Sequence, residues 1–383
     1  MPPNDKIKVC WLITPLSIWG GVIKRLNLWA RYFDKEKFDI TIIYYSKDYQ
    51  VVEDILSKNS IKLIHSQNIG NKELLFVPGI LWLIRYLEKN HFDIIHSMFP
   101  HSDFIINLCS KILKLRVPVI SYSAGEIIPY EYSCIKKAFS SLLYLTFYRI
   151  ARNNFNIFIT ISENTKNYLI NTFRISKEKI KVIKIGIDFK QYQIKPKKPK
   201  QSFINIGYAA RFSGEKGLEV LLNAVKFVIR SRGNIIKLFL AGAGPKLTWI
   251  KNFIKKNGLQ NNVELLGWVE NISEFFAKID VLILPSFQEG TPRIIIESFY
   301  HFVPVIASNV GGIPDIVVNN ETGLLIDPGD FKALAEKILF FLDNRHLIYE
   351  YGQNAHNHVV ENHDILKEVS MLEEVYKNLY MRR

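Results

Sequence analysis

The chain is poor in cysteine. Cys10, Cys109 and Cys134 are the only three in 383 residues, widely spaced and without a Cys-x-x-Cys pair. That excludes a disulfide framework and a thiolate metal centre, and it suits a reducing compartment. Cys10 and Cys109 lie in apolar runs and read as buried thiols. Long hydrophobic runs are missing too. The longest, Leu74 to Leu87, is interrupted by Pro78-Gly79 and Arg85, and it falls short of the ~20 residues that a spanning helix needs. Met1 to Lys8 is polar, so no signal peptide is expected and the chain reads as soluble or peripheral. Nucleic-acid modules are absent as well: no zinc finger, no RNP signature, no recognition-helix pattern, so no nucleic-acid partner is expected.

What is present is a globular composition, 48% hydrophobic and 22% charged, in a length that suits two domains rather than one. The net charge of +14 is unevenly placed. Residues 1–198 hold 30 Lys and Arg against 16 Asp and Glu, whereas residues 199–383 hold 20 of each. A coding bias toward Lys would raise both halves. A basic first half points to an anionic membrane surface as a partner, and so to a cytoplasmic protein peripheral on the inner face of the membrane. Lys195-Pro196-Lys197-Lys198-Pro199-Lys200 marks the domain junction, since prolines and lysines deny it a core. The domains are read as 1–195 and 200–361, with the terminal helix at about 362–383 returning to the first.

Strands alternate with helical spacing throughout, which is the doubly wound α/β pattern. In the first half, Ile7–Thr14, Phe38–Tyr45, Ile61–His65, Asp93–His96, Val117–Ser121 and Asn156–Ile161 read as strands. Gly20-Gly21 sits between the first strand and a helix, where backbone can approach a phosphate. This turn lacks Gly-x-Gly-x-x-Gly, so it is no dinucleotide fingerprint. Cys134 to Asn154 reads either as a basic amphipathic helix at a membrane or as an ordinary helix with charged ends. In the second half, Arg211 leaves a strand end, and Lys216 enters the next helix start. Two fixed cations there suit a departing diphosphate. Gly242-Ala243-Gly244-Pro245 reads as a turn, with Pro245 opening a helix.

The chain is organised around Glu289-Gly290-Thr291-Pro292-Arg293-Ile294-Ile295-Ile296-Glu297, which follows the apolar strand Asp280–Ser286. Thr291 reads as an N-cap and Pro292 as the first helical residue. Two carboxylates eight apart then flank a helix N-terminus. If the stretch were helical, they would lie roughly 12 Å apart, about the reach from a ribose through a diphosphate to a sugar. The N–H groups of Gly290 and Thr291 would lie between them.

The stretch resembles the Glu-x7-Glu motif of family-4 retaining glycosyltransferases. The rest of the chain is similar as well: Gly20-Gly21 with Arg25, Asp93 to His96, Arg211-x4-Lys216-Gly217 and Thr322 to Asp330. Where family members carry His before the glycine of the Ser123 loop, this chain has Ala124. Glu126 is the substitute polar group. The resemblance implies a GT-B fold, two Rossmann-like doubly wound domains facing a central cleft that closes on the donor. It implies transfer of a hexose or N-acetylhexosamine from a nucleotide-diphosphate sugar, with UDP the commoner base, to a saccharide or polyprenyl-diphosphate-linked acceptor in cell-surface polysaccharide synthesis. The catalytic residues would be Arg211, Lys216 and Glu289. Gly20, Gly21, Gly290, Thr291, Pro292, Glu297, Val269 and Gly244 would bind the donor, with His96 and Glu126 on the acceptor side. No Asp-x-Asp occurs, so no metal and no cofactor is expected.

Two rivals stay open at this level. One is a sugar-nucleotide epimerase or hydrolase of the same fold, which would release free sugar without acceptor. The other is a non-enzymatic basic protein that binds membrane or nucleic acid.

Overall fold

The computed structural model describes residues 6–13, 21–44, 49–59, 61–65, 77–114, 116–123, 145–194 and 203–382. The chain divides into two compact units, Met1–Gly186 with Ile365–Arg383, and Ile187–Asp364.

In the first unit the strands are β1 (Ile7–Ile13), β2 (Phe38–Tyr44), β3 (Lys62–His65), β4 (Ile94–Met98), β5 (Val119–Ser123), β6 (Ile157–Thr160) and β7 (Ile180–Val182). They form one parallel sheet in the order β3-β2-β1-β4-β5-β6-β7. β1 and β2 bury every residue but one each, because helices cover both faces of a parallel sheet. The strand order reverses between β1 and β4.

The helix Ile365–Met381 belongs to this unit and completes its core. The Tyr376 hydroxyl accepts from Trp11 Nε1 at 2.9 Å and meets His96 Nδ1 at 2.6 Å. Glu368 is buried, but both its oxygens are satisfied. Oε1 accepts from Trp29 Nε1 at 3.0 Å and pairs with Arg25 Nε at 3.4 Å, while Oε2 accepts from the Gly186 N–H at 2.6 Å. A carboxylate taken out of water needs such partners to offset its desolvation. Asp103 is the other buried acid, on the helix Pro100–Leu113. Its Oδ2 accepts from Ser121 Oγ and Tyr148 Oη, each at 2.6 Å. Burial nonetheless pushes its carboxyl up to about 7, against these two bonds, which favour the ionised form.

The second unit carries β8 (Ile204–Ala209), β9 (Ile236–Ala241), β10 (Val263–Gly267), β11 (Val281–Leu284), β12 (Val305–Ser308) and β13 (Gly323–Ile326). This sheet is parallel too, in the order β10-β9-β8-β11-β12-β13. The order reverses between β8 and β11, and in such sheets ligands bind beyond the carboxyl ends of the strands at the reversal. Arg211 and Lys216 follow β8; Glu289 follows β11.

The six strands read in the first half and Asp280–Ser286 in the second each stand within two residues of the observed ones. Three readings are corrected. β7 had not been read as a strand; it has three residues, and Lys181 at its centre is exposed. Pro245 does not open a helix. Leu247 N–H bonds Gly244 O at 3.1 Å, so Pro245 lies in a turn and the helix is Leu247–Lys256. Thr291 is not an N-cap. The helix is Arg293–Tyr300, and Pro292, extended at φ −73° and ψ 108°, takes the cap position without a side-chain bond. The 195–200 junction lies outside the described residues, as do residues 134–144 of the basic stretch. Residues 145–151 are helical, and Arg152 just beyond donates to Arg174 O at 2.8 Å, satisfying a carbonyl past the helix Glu163–Phe173. Among the described residues no helix is long and apolar enough to cross a membrane.

The Asp103 carboxyl makes stability depend on pH. In the folded chain it keeps its proton up to about 7, while in the unfolded chain it ionises in the ordinary carboxyl range. The folded state therefore binds more protons in that window, and this site removes stability as pH rises through it. Asp103→Asn is expected to flatten the fall in urea midpoint across that window. Equal slopes for wild type and variant would refute the assignment.

Candidate functional site

In the second unit, the turns that follow the strands are stitched together by backbone. Phe287 N–H donates to Glu215 O at 2.8 Å, Gly312 N–H to Gly290 O at 2.6 Å, Phe212 N–H to Ala243 O at 2.8 Å, and Gly242 N–H to Gly267 O at 2.7 Å. Two glycines make the closest approaches. A Cβ on Gly217 would stand 1.8 Å from Pro285 O, and one on Gly311 would stand 1.8 Å from Glu289 O. Both also have positive φ, +68° and +54°, which side chains rarely adopt.

This stitching sets the charged groups. Lys216 Nζ pairs with Glu289 Oε1 at 2.8 Å, and the buried Ser286 Oγ donates to the same oxygen at 2.7 Å. Arg211 Nη2 pairs with Glu215 Oε1 at 2.8 Å, and Ser213 Oγ also donates there. Burial raises the Glu215 carboxyl, but the Ser213 and Arg211 bonds outweigh it and hold the group below the usual range. The Arg211 side chain is 62% exposed. Glu297, one helical turn beyond Arg293, pairs with Arg293 Nε at 2.8 Å and accepts from the Tyr192 hydroxyl at 2.9 Å. Burial works against the charge on Arg293, but the Glu297 charge prevails and raises its pKa.

Among the described residues the N–H groups of Gly290 and Thr291 meet no acceptor. They lie just before the Arg293–Tyr300 helix, where the first turn's N–H groups also look outward for partners. Gly244 lies against Phe212, where a Cβ would stand 2.6 Å from the Phe212 carbonyl oxygen. Val269 is half-buried beside Trp268, which is 67% exposed. The structure thus brings Arg211, Lys216, Glu289, Gly290, Thr291 and Pro292 onto the turns after β8 and β11, with Glu297 on the helix that follows.

The first unit's candidates fall differently. Gly20 and Glu126 lie outside the described residues, and Gly21 opens the helix Gly21–Tyr32. His96 is fully buried in β4, stacked on Trp29 with ring centroids 6.1 Å apart. Burial pushes its pKa down to about 3, so its ring is neutral. Arg25 rests over the Trp29 and Tyr122 rings at 5.8 and 5.7 Å, paired with Glu368.

Two parallel sheets, each reversing its order once, with a Lys–Glu pair at the second reversal, fit one group of known proteins. Residues 19–191 match the family described as Glycosyltransferase Family 4, and residues 188–358 match Glycosyl transferases group 1. The chain belongs to glycosyltransferase family 4.

Its relatives include the capsular polysaccharide biosynthesis glycosyltransferase CapM of Staphylococcus aureus, 32% identical over 52% of this chain and 56% of CapM. Another is the Escherichia coli UDP-Gal:alpha-D-GlcNAc-diphosphoundecaprenol alpha-1,3-galactosyltransferase, 22% identical over 99% of each chain. Among solved structures, Anabaena HepE in complex with UDP superposes with a TM-score of 0.80 at 19% identity, covering 97% of this chain and 100% of that one. The fold is GT-B.

Three residues of the glycosyltransferase's site escaped the sequence reading: Ser286, Arg293 and Tyr192. Arg293 could have been found, since it stands four residues from Glu297 on one helix face. Tyr192 had no signal, being 105 positions from its partner.

Gly311→Ala is expected to cost about 2 kcal/mol or more, since it adds left-handed strain to a backbone clash. It should also lower activity by displacing Glu289. Thermal melting and turnover check this, and a variant that melts and works like wild type would contradict it.

Proposed function

We propose that this enzyme is a retaining, metal-independent hexosyltransferase. It moves a hexose or N-acetylhexosamine from a UDP-sugar to a saccharide or polyprenyl-diphosphate-linked acceptor, in cell-surface polysaccharide synthesis. The observation that carries the reading is the 2.8 Å pair between Lys216 and Glu289 beside the unpaired N–H groups of Gly290 and Thr291. A cation, a carboxylate and unpaired backbone N–H groups beyond the strand ends at the order reversal support a diphosphate site there. The relatives support the substrate class. CapM is named for capsular polysaccharide, the Escherichia coli enzyme for a UDP-sugar and a diphosphoundecaprenol-linked acceptor, and HepE was solved with UDP.

In this reading Glu297 accepts the ribose hydroxyls, and Glu289 hydrogen-bonds the donor sugar. Pro292 fixes the turn between them, while Val269 and Gly244 shape the nucleotide end. Lys216 and Arg211 stabilise the diphosphate as the bond from its oxygen to the anomeric carbon breaks and the electron pair leaves with it. Gly290 and Thr291 donate to the same anion. The departing phosphate oxygen takes the acceptor hydroxyl's proton, so the new bond forms on the face just vacated and configuration is retained. Fixed cations take the part that a metal plays elsewhere. The first unit receives the acceptor, and its basic character suits a cytoplasmic enzyme resting on an anionic membrane.

A thermal-shift screen with UDP, GDP, ADP and their sugars, in EDTA, tests the donor site. At 100 times its dissociation constant the right nucleotide stabilises by ~2.7 kcal/mol. UDP is expected to give that shift in wild type and little in Glu297→Ala. Lys216→Ala should reduce kcat by about 10²–10³, and proton NMR of the product should show the donor's anomeric configuration. No shift with any nucleotide would remove the donor-site reading, and an inverted product would remove retention.

A further inference from the structure

Glu297, like Glu289 and Glu215, is held through a single oxygen. One oxygen, Oε1, carries both of its bonds: Arg293 Nε at 2.8 Å and the Tyr192 hydroxyl at 2.9 Å. Arg293 Nη2 donates in turn to the Tyr192 oxygen at 3.3 Å, closing a three-membered ring of side chains. Oε2 accepts from no described residue. The side chain is 15% exposed, so its reach is narrow.

Tyr192 is itself fixed. It follows a 3₁₀ turn, Phe189–Gln191, which Asp188 caps by accepting from Lys190 N–H at 3.1 Å and Gln191 Nε2 at 2.9 Å. Phe189 stacks on Tyr300 with centroids 4.5 Å apart. The Tyr192 ring meets Tyr300 at 5.6 Å and His301 edge-on at 5.3 Å. Tyr300 and His301 sit at the end of the helix that carries Glu297. A segment far away in sequence is therefore clamped to that helix by rings, with a hydroxyl aimed at the carboxylate.

We propose that Tyr192, with Arg293, is a positioning residue that makes the site selective for ribose over 2′-deoxyribose. By occupying Oε1 they fix the carboxylate's rotation and leave Oε2 as the acceptor for a ribose hydroxyl. Without the Tyr192 hydroxyl, Glu297 retains its charge and its arginine but loses that orientation. Burial and the Glu297 charge also keep the Tyr192 hydroxyl protonated, so it remains a donor. The inference rests on Glu297 being the ribose acceptor and adds what orients it.

The test is calorimetric binding of UDP, GDP and ADP, each beside its 2′-deoxy counterpart, to wild type, Tyr192→Phe, Arg293→Lys and Glu297→Ala. Hydrogen bonds to charged groups set the scale. Wild type is expected to prefer its ribonucleotide by about tenfold. Tyr192→Phe keeps the ring packing and should cut that preference to about threefold or less, leaving affinity for the deoxynucleotide within about twofold. Arg293→Lys should move the ratio in the same direction. If Tyr192→Phe weakens both forms equally or leaves the ratio intact, Tyr192 does not position Glu297, even though Glu297→Ala abolishes the preference. If wild type has no ribose preference, or Glu297→Ala keeps it, the ribose role of Glu297 fails and this inference with it.

Discussion

The second unit depends on backbone approaching backbone where no side chain fits. Gly217 lies against Pro285, and Gly311 against Glu289, each so close that an added Cβ would stand 1.8 Å from a carbonyl oxygen. These two contacts draw the turns after β8, β11 and β12 into one cluster. Lys216 precedes the first glycine, and Glu289 supplies the carbonyl that the second one meets. The 2.8 Å ion pair between them is thus a consequence of chain packing rather than of flexible side chains finding each other. Groups held in this way need little reorganisation when charge develops, and that is the main source of electrostatic catalysis.

Each carboxylate of this edge already has its cation or hydroxyl. Glu289 has Lys216 and Ser286, Glu215 has Arg211 and Ser213, and Glu297 has Arg293 and Tyr192. Partly buried acids without such partners would be costly. Of their cations, Arg211 is largely exposed, and Lys216 is far less so. The first unit uses the same device for a different end. Glu368 gathers Arg25, Trp29 and the Gly186 N–H to hold a helix rather than a ligand.

Much of this was legible because both sheets are parallel and buried, so their strands stand out as apolar runs between turn residues. β3, read as Ile61–His65, stands at Lys62–His65. β7 was not read, because three residues with a lysine at the centre leave no apolar run. Thr291 misled because threonine before a proline is a strong helix-start signal. In the structure, Thr291 Oγ1 is buried without a bond, and the chain stays extended through Pro292 before turning. Within the site, Lys216 and Glu289 could be read because each follows an apolar strand, and Glu297 because it stands eight residues past Glu289 on the next helix. Tyr192 could not, since only the fold brings positions 105 apart together.

The helix Ile365–Met381 has a consequence for how the protein comes to exist. Its Tyr376 and Glu368 bond to Trp11, His96 and Trp29, residues made long before them. Chains emerge N-terminal end first and domains fold as units. Here the first unit leaves the ribosome with its core open, while all of Ile187–Asp364 is still to be made. The first unit is therefore closed only after the second has been made. Until the helix Ile365–Met381 arrives, the apolar surface that it covers is exposed, and in that interval the nascent chain needs protection from aggregation.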